Sequence, residues 1–150
     1  MKDKTILLVE DNSQDELLTL RALRKVNLAN TVDVVRDGQQ AVDYLFGKGE
    51  FAHRADAALP TVILLDINLP RLSGLEVLER LRADSKTRLL PVVILTSSDE
   101  EQDRLRSYEN GANSYVRKPL DFSVFAETVA RLGVYWLVTN EPPLPTTQHR

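Results

Sequence analysis

The sequence predicts an α/β fold with a parallel sheet, and two observations carry that expectation. Five short apolar runs recur, at residues 5–9, 31–35, 61–65, 92–95 and 114–116, each followed by a polar or amphipathic stretch. Three of them, at 6–9, 62–65 and 92–95, show no polar alternation. Unbroken apolar runs of that length suit strands covered by helices on both faces.

Taken in order, the elements have recognisable starts and stops. The first run, Thr5-Ile6-Leu7-Leu8-Val9, ends at Glu10-Asp11. Behind it Ser13-Gln14-Asp15-Glu16 reads as a capping box, with Leu17, Leu20, Leu23 and Val26 following at three-residue spacing. The second run leads through an Asp37-Gly38 turn into a short helix over 39–46, and residues 47–60 read as a surface loop. Ser73-Gly74-Leu75-Glu76 repeats the capping signature ahead of Leu78 and Leu81. Pro91 and Thr96 bracket the fourth run and favour a strand there. Ser98-Asp99-Glu100-Glu101 is a third capping instance, and Asn110-Gly111 closes its helix. The last helix covers about 122–138, with Phe122, Phe125, Val129, Leu132 and Trp136 on one face. The result is (βα) five times, a doubly wound five-stranded sheet with right-handed crossovers. Residues 139–150 contain Pro142, Pro143 and Pro145 and read as an extended tail, which leaves a folded domain at 1–138.

Composition narrows the function. A chain of 150 residues suits one domain. It has no cysteine, which excludes disulfide scaffolds, thiol nucleophiles and Cys-type zinc sites. His53 and His149 are too few for an imidazole metal cage. A net charge of -3 argues against a nucleic-acid binder, which carries a basic surplus. No apolar run is long enough for a secretory signal or a membrane span, so the expected location is the cytoplasm.

Open parallel sheets bind ligands at the carboxyl ends of their strands. Glu10 and Asp11 follow the first run, Asp66 the third, Thr96 the fourth and Lys118 the fifth. Any one of these could be an ordinary polar loop residue, but five at four strand ends point to a site. Three carboxylates close together repel unless a cation joins them. An oxygen-only donor set suits Mg²⁺ or Mn²⁺. Lys118 can hold a dianionic group as a point charge, and Thr96 can donate a hydrogen bond to it. Together these describe a phosphoryl site with a carboxylate as candidate nucleophile.

At these residues the chain resembles the response-regulator receiver domains of bacterial two-component signalling. The matching pieces are Leu7-Leu8-Val9-Glu10-Asp11, Leu64-Leu65-Asp66-Ile67-Asn68-Leu69-Pro70, Ser73-Gly74, Leu95-Thr96-Ser97 and Lys118-Pro119. The resemblance implies a flavodoxin-like fold with strand order 2-1-3-4-5, an order the handedness rules alone do not supply. It implies that Asp66 accepts a phosphoryl group from a phosphohistidine of a sensor histidine kinase. Glu10, Asp11, Asp66 and the backbone carbonyl of Asn68 would hold Mg²⁺ (or Mn²⁺), and Thr96 and Lys118 would grip the phosphoryl oxygens. Many receivers have Asp where this chain has Glu10. The family pattern also implies a cis Lys118-Pro119 bond, although sequence statistics favour trans. Asn68 and Ser98 stand where receivers tune hydrolysis of the aspartyl phosphate.

Thr96 and Tyr115 occupy the receiver switch positions, coupling the site to the face made by helix four, strand five and helix five. A half-buried strand aromatic is the plainer account of Tyr115. No effector domain follows, so the expectation is a stand-alone regulator acting through protein contacts. At the end of the last helix Val134, Tyr135, Trp136, Leu137 and Val138 make it apolar nearly all round. Two accounts stand: a partner surface, or closer burial within the domain. Glu10-Asp11, the loop around Gly47-Lys48-Gly49-Glu50-Phe51, Ser107-Tyr108-Glu109 and Tyr135-Trp136-Leu137 are most similar to regulators partnered with bacterial phytochromes, which form homodimers through the helix-four to helix-five face or the C-terminal arm. A phosphorylation-independent interaction module, or a regulator serving another kinase, is the alternative. A phosphatase of the haloacid-dehalogenase type would need a second Asp where Asn68 stands. The expectation is therefore no enzyme beyond self-phosphorylation and slow self-hydrolysis.

Overall fold

The computed structural model describes residues 4–26 and 31–143. Five parallel strands form one sheet: β1 (Thr5–Val9), β2 (Thr31–Val35), β3 (Val62–Leu65), β4 (Val92–Thr96) and β5 (Ser114–Arg117). Their spatial order is β2-β1-β3-β4-β5, as the resemblance implies. The helices are α1 (Ser13–Val26), α2 (Gly38–Phe46), α3 (Gly74–Ala83), α4 (Glu101–Glu109) and α5 (Phe122–Val134).

Because successive strand residues point to opposite faces, the unbroken apolar runs split into two cores. Leu7, Val9, Ile63, Leu65 and Ile94 meet Ala41 and Leu45 of α2 and Val77, Leu78 and Leu81 of α3. Ile6, Leu8, Leu64, Val93 and Leu95 meet Ala22 and Leu23 of α1 and Phe125 and Val129 of α5. The three-layer sandwich leaves the carboxyl ends of β1, β3, β4 and β5 on a common edge, which is where the site forms.

Several local expectations are corrected. The α1 cap is Asn12 rather than Ser13: the Asn12 side chain accepts from the Asp15 N–H at 2.9 Å. Glu16 is engaged elsewhere, accepting two bonds from the Arg36 guanidinium at 3.0 and 2.8 Å. Leu17 is exposed, and the buried α1 residues are Thr19, Ala22 and Leu23. A strict three-residue spacing drifts about 60° per step around a 3.6-residue helix, so it does not track a fixed core face. Helix α3 does carry the expected capping box, reciprocal between Ser73 and Glu76. Helix α4 starts later than expected, at Glu101, and the Ser98 hydroxyl donates to the side chain of Asp103 in that helix at 2.6 Å.

The stretch expected as a loop contains a 3₁₀ helix, Gly49–Arg54. Phe51 packs edge-on against Tyr44 at 5.4 Å, and Arg54 stacks 3.6 Å over the Tyr44 ring while donating to its carbonyl. These contacts seat the segment on α2. Beyond α5 the chain forms a π-helical turn, Tyr135–Thr139, closed by the Asn140 N–H donating to the Tyr135 carbonyl. Phe122 is 60% exposed, which removes it from the expected buried face, whereas Phe125, Val129 and Trp136 are buried. The last seven residues of the expected tail lie outside the described residues. The Lys118-Pro119 bond is trans, correcting the expected cis form; no cis peptide occurs among the described residues. Trans is the lower-energy form of an X-Pro bond by about 0.5–1 kcal/mol.

Candidate functional site

Each predicted site residue is delivered by its strand end. Glu10 follows β1, its N–H tied to the Val35 carbonyl of β2 at 3.0 Å. Asp66 follows β3, its N–H tied to the Val9 carbonyl at 3.2 Å. Thr96 closes β4 and Lys118 follows β5, linked by the Lys118 N–H to the Thr96 carbonyl at 2.7 Å. Backbone ladders thus fix all four side chains on one edge. Gly74 lets α3 press against the loop after β3: a Cβ there would lie 2.1 Å from the Asp66 carbonyl oxygen. Its N–H donates to the Ile67 carbonyl at 2.8 Å.

Asp66 is held from two sides. The Thr96 hydroxyl donates to its Oδ1 at 2.8 Å, and the Lys118 ammonium donates to its Oδ2 at 2.9 Å. The Asn68 N–H also donates to Oδ1, at 3.0 Å. Asp66 is 6% exposed, Lys118 7% and Glu10 1%. Lys118 also donates to Glu10 Oε1 at 2.7 Å and to Asp15 Oδ2 at 2.9 Å.

Electrostatics follows from this packing. Burial pushes the Glu10 carboxyl up, to about 7, against the opposing pull of Lys118. Burial also disfavours charge on Lys118, but Asp66, Asp15 and Glu10 together outweigh it and hold the ammonium above its ordinary value. Glu10, Asp11 and Asp66 each offer an oxygen within 4.8 Å of the others, and Asp11 is exposed. A hard divalent cation fits such an all-oxygen set with one open side.

Tyr115 is half-buried and turned inward. Its hydroxyl donates to the Ser98 carbonyl at 3.1 Å, and the Ser98 N–H donates to the Thr96 hydroxyl at 3.3 Å. Burial raises the Tyr115 phenol. The two expected switch residues are therefore linked through one loop residue.

The apolar cluster at the chain's last helix divides. Trp136 and Leu137 are buried in the core beside α1 and α5, while Val134, Tyr135 and Val138 are exposed. The residue missed from sequence is Asp15, which completes the cage around Lys118. Its place in an apparent capping motif masked it. Its position one helical turn beyond Asp11 is the signal that could have found it.

Among known proteins, the model of the response regulator receiver domain matches residues 6–130. The response regulator Rcp1 of Synechocystis sp. is 35% identical over 140 residues, 93% of each chain. The structure of the Mn(2+)-bound form of Rcp1 covers 94% of this chain and 99% of its own, with TM-score 0.87. The phosphorylated cyanobacterial phytochrome response regulator RcpA is 38% identical with TM-score 0.89, covering 95% of this chain and 100% of its own. The bacteriophytochrome response regulator RtBRR is 51% identical with TM-score 0.75, covering 97% and 87%.

Proposed function

The chain belongs to the response regulator receiver family, whose general function is phosphorylation on an aspartate, and we propose that Asp66 is the acceptor in this member. The observation that carries this is the two-sided hold on Asp66, by the Thr96 hydroxyl at 2.8 Å and the Lys118 ammonium at 2.9 Å. A hydroxyl and an ammonium are donors suited to phosphoryl oxygens, and both stand within hydrogen-bond reach of the carboxylate to which the group would be joined. An Asp66 oxygen attacks phosphorus of a sensor kinase's phosphohistidine. The P–N bond breaks, and the imidazole leaves with the bonding electron pair and takes up a proton.

Glu10, Asp11, Asp66 and the Asn68 carbonyl would hold Mg²⁺ (or Mn²⁺, the ion in the Rcp1 structure), which when bound would offset the carboxylate charge that repels an incoming phosphoryl group. The two donors then serve the phosphoryl oxygens. Thr96 leaves Asp66 Oδ1, and its movement reaches Tyr115 through Ser98. That relay links the site to the elements α4, β5 and α5; Leu105 and Tyr108 of α4, Val134 of α5, and Tyr135 and Val138 of the turn after it are exposed. We read the α4-β5-α5 face as the homodimer surface, and the upstream partner as a phytochrome-type histidine kinase. Likeness to the RcpA and RtBRR regulators supports that partner. Receiver domains are generally non-catalytic signalling modules. In this chain the chemistry extends to self-phosphorylation from a small donor and slow self-hydrolysis. The signalling unit is residues 1–138 with the tail 139–150, acting in the cytoplasm. No helix among the described residues is long and apolar enough to cross a membrane.

The test is treatment with acetyl phosphate and Mg²⁺, with D66N in parallel, followed by intact and native mass spectrometry. The expected result is a phosphate-sized gain in wild type that is absent in D66N and without metal. A dimer mass that depends on phosphorylation tests the surface. No adduct in wild type refutes the phosphoryl-switch reading and favours a phosphorylation-independent module.

A further inference from the structure

The Lys118 ammonium has three protons, and three carboxylates take them: Glu10, Asp66 and Asp15. Two of these belong to the metal and acceptor set, so their oxygens are claimed when the site is charged. Asp15 belongs to neither. It comes from the first turn of α1, 103 residues away in sequence from Lys118.

The backbone around Asp15 is fixed at both ends. Its N–H donates to the Asn12 side chain at 2.9 Å, and its carbonyl accepts from the Thr19 hydroxyl at 2.7 Å. Asn12 in turn donates its N–H to Glu10 Oε2 at 3.2 Å. Glu10, Asn12, Asp15 and Lys118 therefore close a ring of hydrogen bonds along one wall of the site. The Asp15 side chain is 27% exposed against 6% for Lys118, so Asp15 stands at the mouth and the ammonium behind it.

We infer that Asp15 is a positioning residue for phosphoryl transfer, pinning the Lys118 ammonium beside the acceptor when Glu10 and Asp66 are engaged elsewhere. This rests on the acceptor reading above. A long, flexible lysine stem has several rotamers, and one fixed partner outside the reacting set confines it. With Asp15 holding one proton, the other two stay directed at the space where phosphoryl oxygens arrive. The neutral amide of Asn can accept the same hydrogen bond, whereas Ala cannot.

The experiment measures initial rates of acetyl phosphate labelling of the full chain by intact mass, across donor concentrations with Mg²⁺, for wild type, D15A, D15N and D66N. D15A is expected to lower the saturating rate roughly 10- to 100-fold, the scale of misplacing a reacting group by about an ångström. The donor concentration giving half that rate should change little. D15N is expected to recover most of the loss. Thermal unfolding confirms that each variant is folded, and D15S repeats the test should D15A not fold. A wild-type saturating rate in D15A overturns the inference and leaves the acceptor reading intact. So does a D15N as slow as D15A, since the missing charge would then be the cause. If wild type itself gains no phosphate, the acceptor reading falls and this inference falls with it.

Discussion

Replacing Gly74 by alanine tests whether the Asp66 loop and α3 are built as one piece. A Cβ at this position would sit 2.1 Å from the Asp66 carbonyl oxygen, 2.9 Å from its carbonyl carbon and 2.8 Å from Ile67 Cα. A relaxed C···O contact is roughly 3.3–3.6 Å, so helix and loop must part by about an ångström. Every atom in the way is backbone, so no rotamer change relieves the clash. Overpacking of this kind costs about 3 kcal/mol, and the better helix propensity of Ala returns up to about 1 kcal/mol. A net loss near 2 kcal/mol lowers the melting temperature of a 150-residue domain by about 4–8 °C. The same displacement carries Asp66 away from Thr96 and Lys118, whose bonds to it are 2.8 and 2.9 Å. Calorimetry and acetyl phosphate labelling of G74A read the two consequences separately. A melting point within about 2 °C of wild type would refute the clash argument. A lowered melting point with unchanged labelling would show that loop and helix move independently.

Two further outcomes concern buried charge. The Glu10 carboxyl is raised from 4.5 to about 7 in the fold, chiefly by burial, so between those pH values the folded state holds a proton that the unfolded chain has lost. Stability contributed by Glu10 is present below pH 4.5 and declines as pH rises to about 7, by about 3 kcal/mol. Denaturant unfolding in EDTA should therefore show E10Q gaining on wild type between pH 5 and pH 7.5, and a constant difference contradicts the assignment. Metal binding needs the ionised carboxylate, so Mn²⁺ affinity should fall as pH drops below about 7. Elsewhere, the Arg82 guanidinium donates to the carbonyls of Thr87, Arg88, Leu90 and Gly111 and to the Asn113 side chain. R82K keeps the charge but loses the planar fork, and should cost about 2–4 kcal/mol in chemical denaturation. An R82K protein as stable as wild type would mean that water can replace these bonds.

What the sequence made legible is what a strand makes local. The runs at 5–9 and 31–35 are strands β1 and β2 with no change of boundary, and the polar residue after each apolar run is where the sheet topology alone would place it. Glu10, Asp66, Thr96 and Lys118 could be read because β-strands end abruptly at a change of polarity. Helix faces were harder. Leu17, 48% exposed, is as apolar as the buried Leu23, and only packing against α5 decides which is covered. Asn12, Ser13 and Asp15 all favour helix starts, so the capping partner depends on which hydroxyl or carboxylate is drawn off by a distant residue. For Asp15 that residue is Lys118, and no local pattern encodes a pairing across the chain. Trp136 and Leu137 went inward, and Tyr135 outward, for the same nonlocal reason.

The placement of β1 between β2 and β3 has a consequence for synthesis on the ribosome. Strand β1 pairs with β2 and then β3, so three of the five strands can associate while the chain is still growing. One face of the sheet depends on α5 and the turn after it. Phe125, Val129, Trp136 and Leu137 complete the core begun by Ile6, Leu8, Ala22 and Leu23, and the Lys4 ammonium donates to the Leu137 carbonyl. Until α5 and the turn after it are free to pack, α1 and the strands beneath it stay bare. A nascent chain stalled before α5 emerges would be a substrate for hydrophobic-binding chaperones, because Ile6, Leu8, Ala22 and Leu23 would lack their partners.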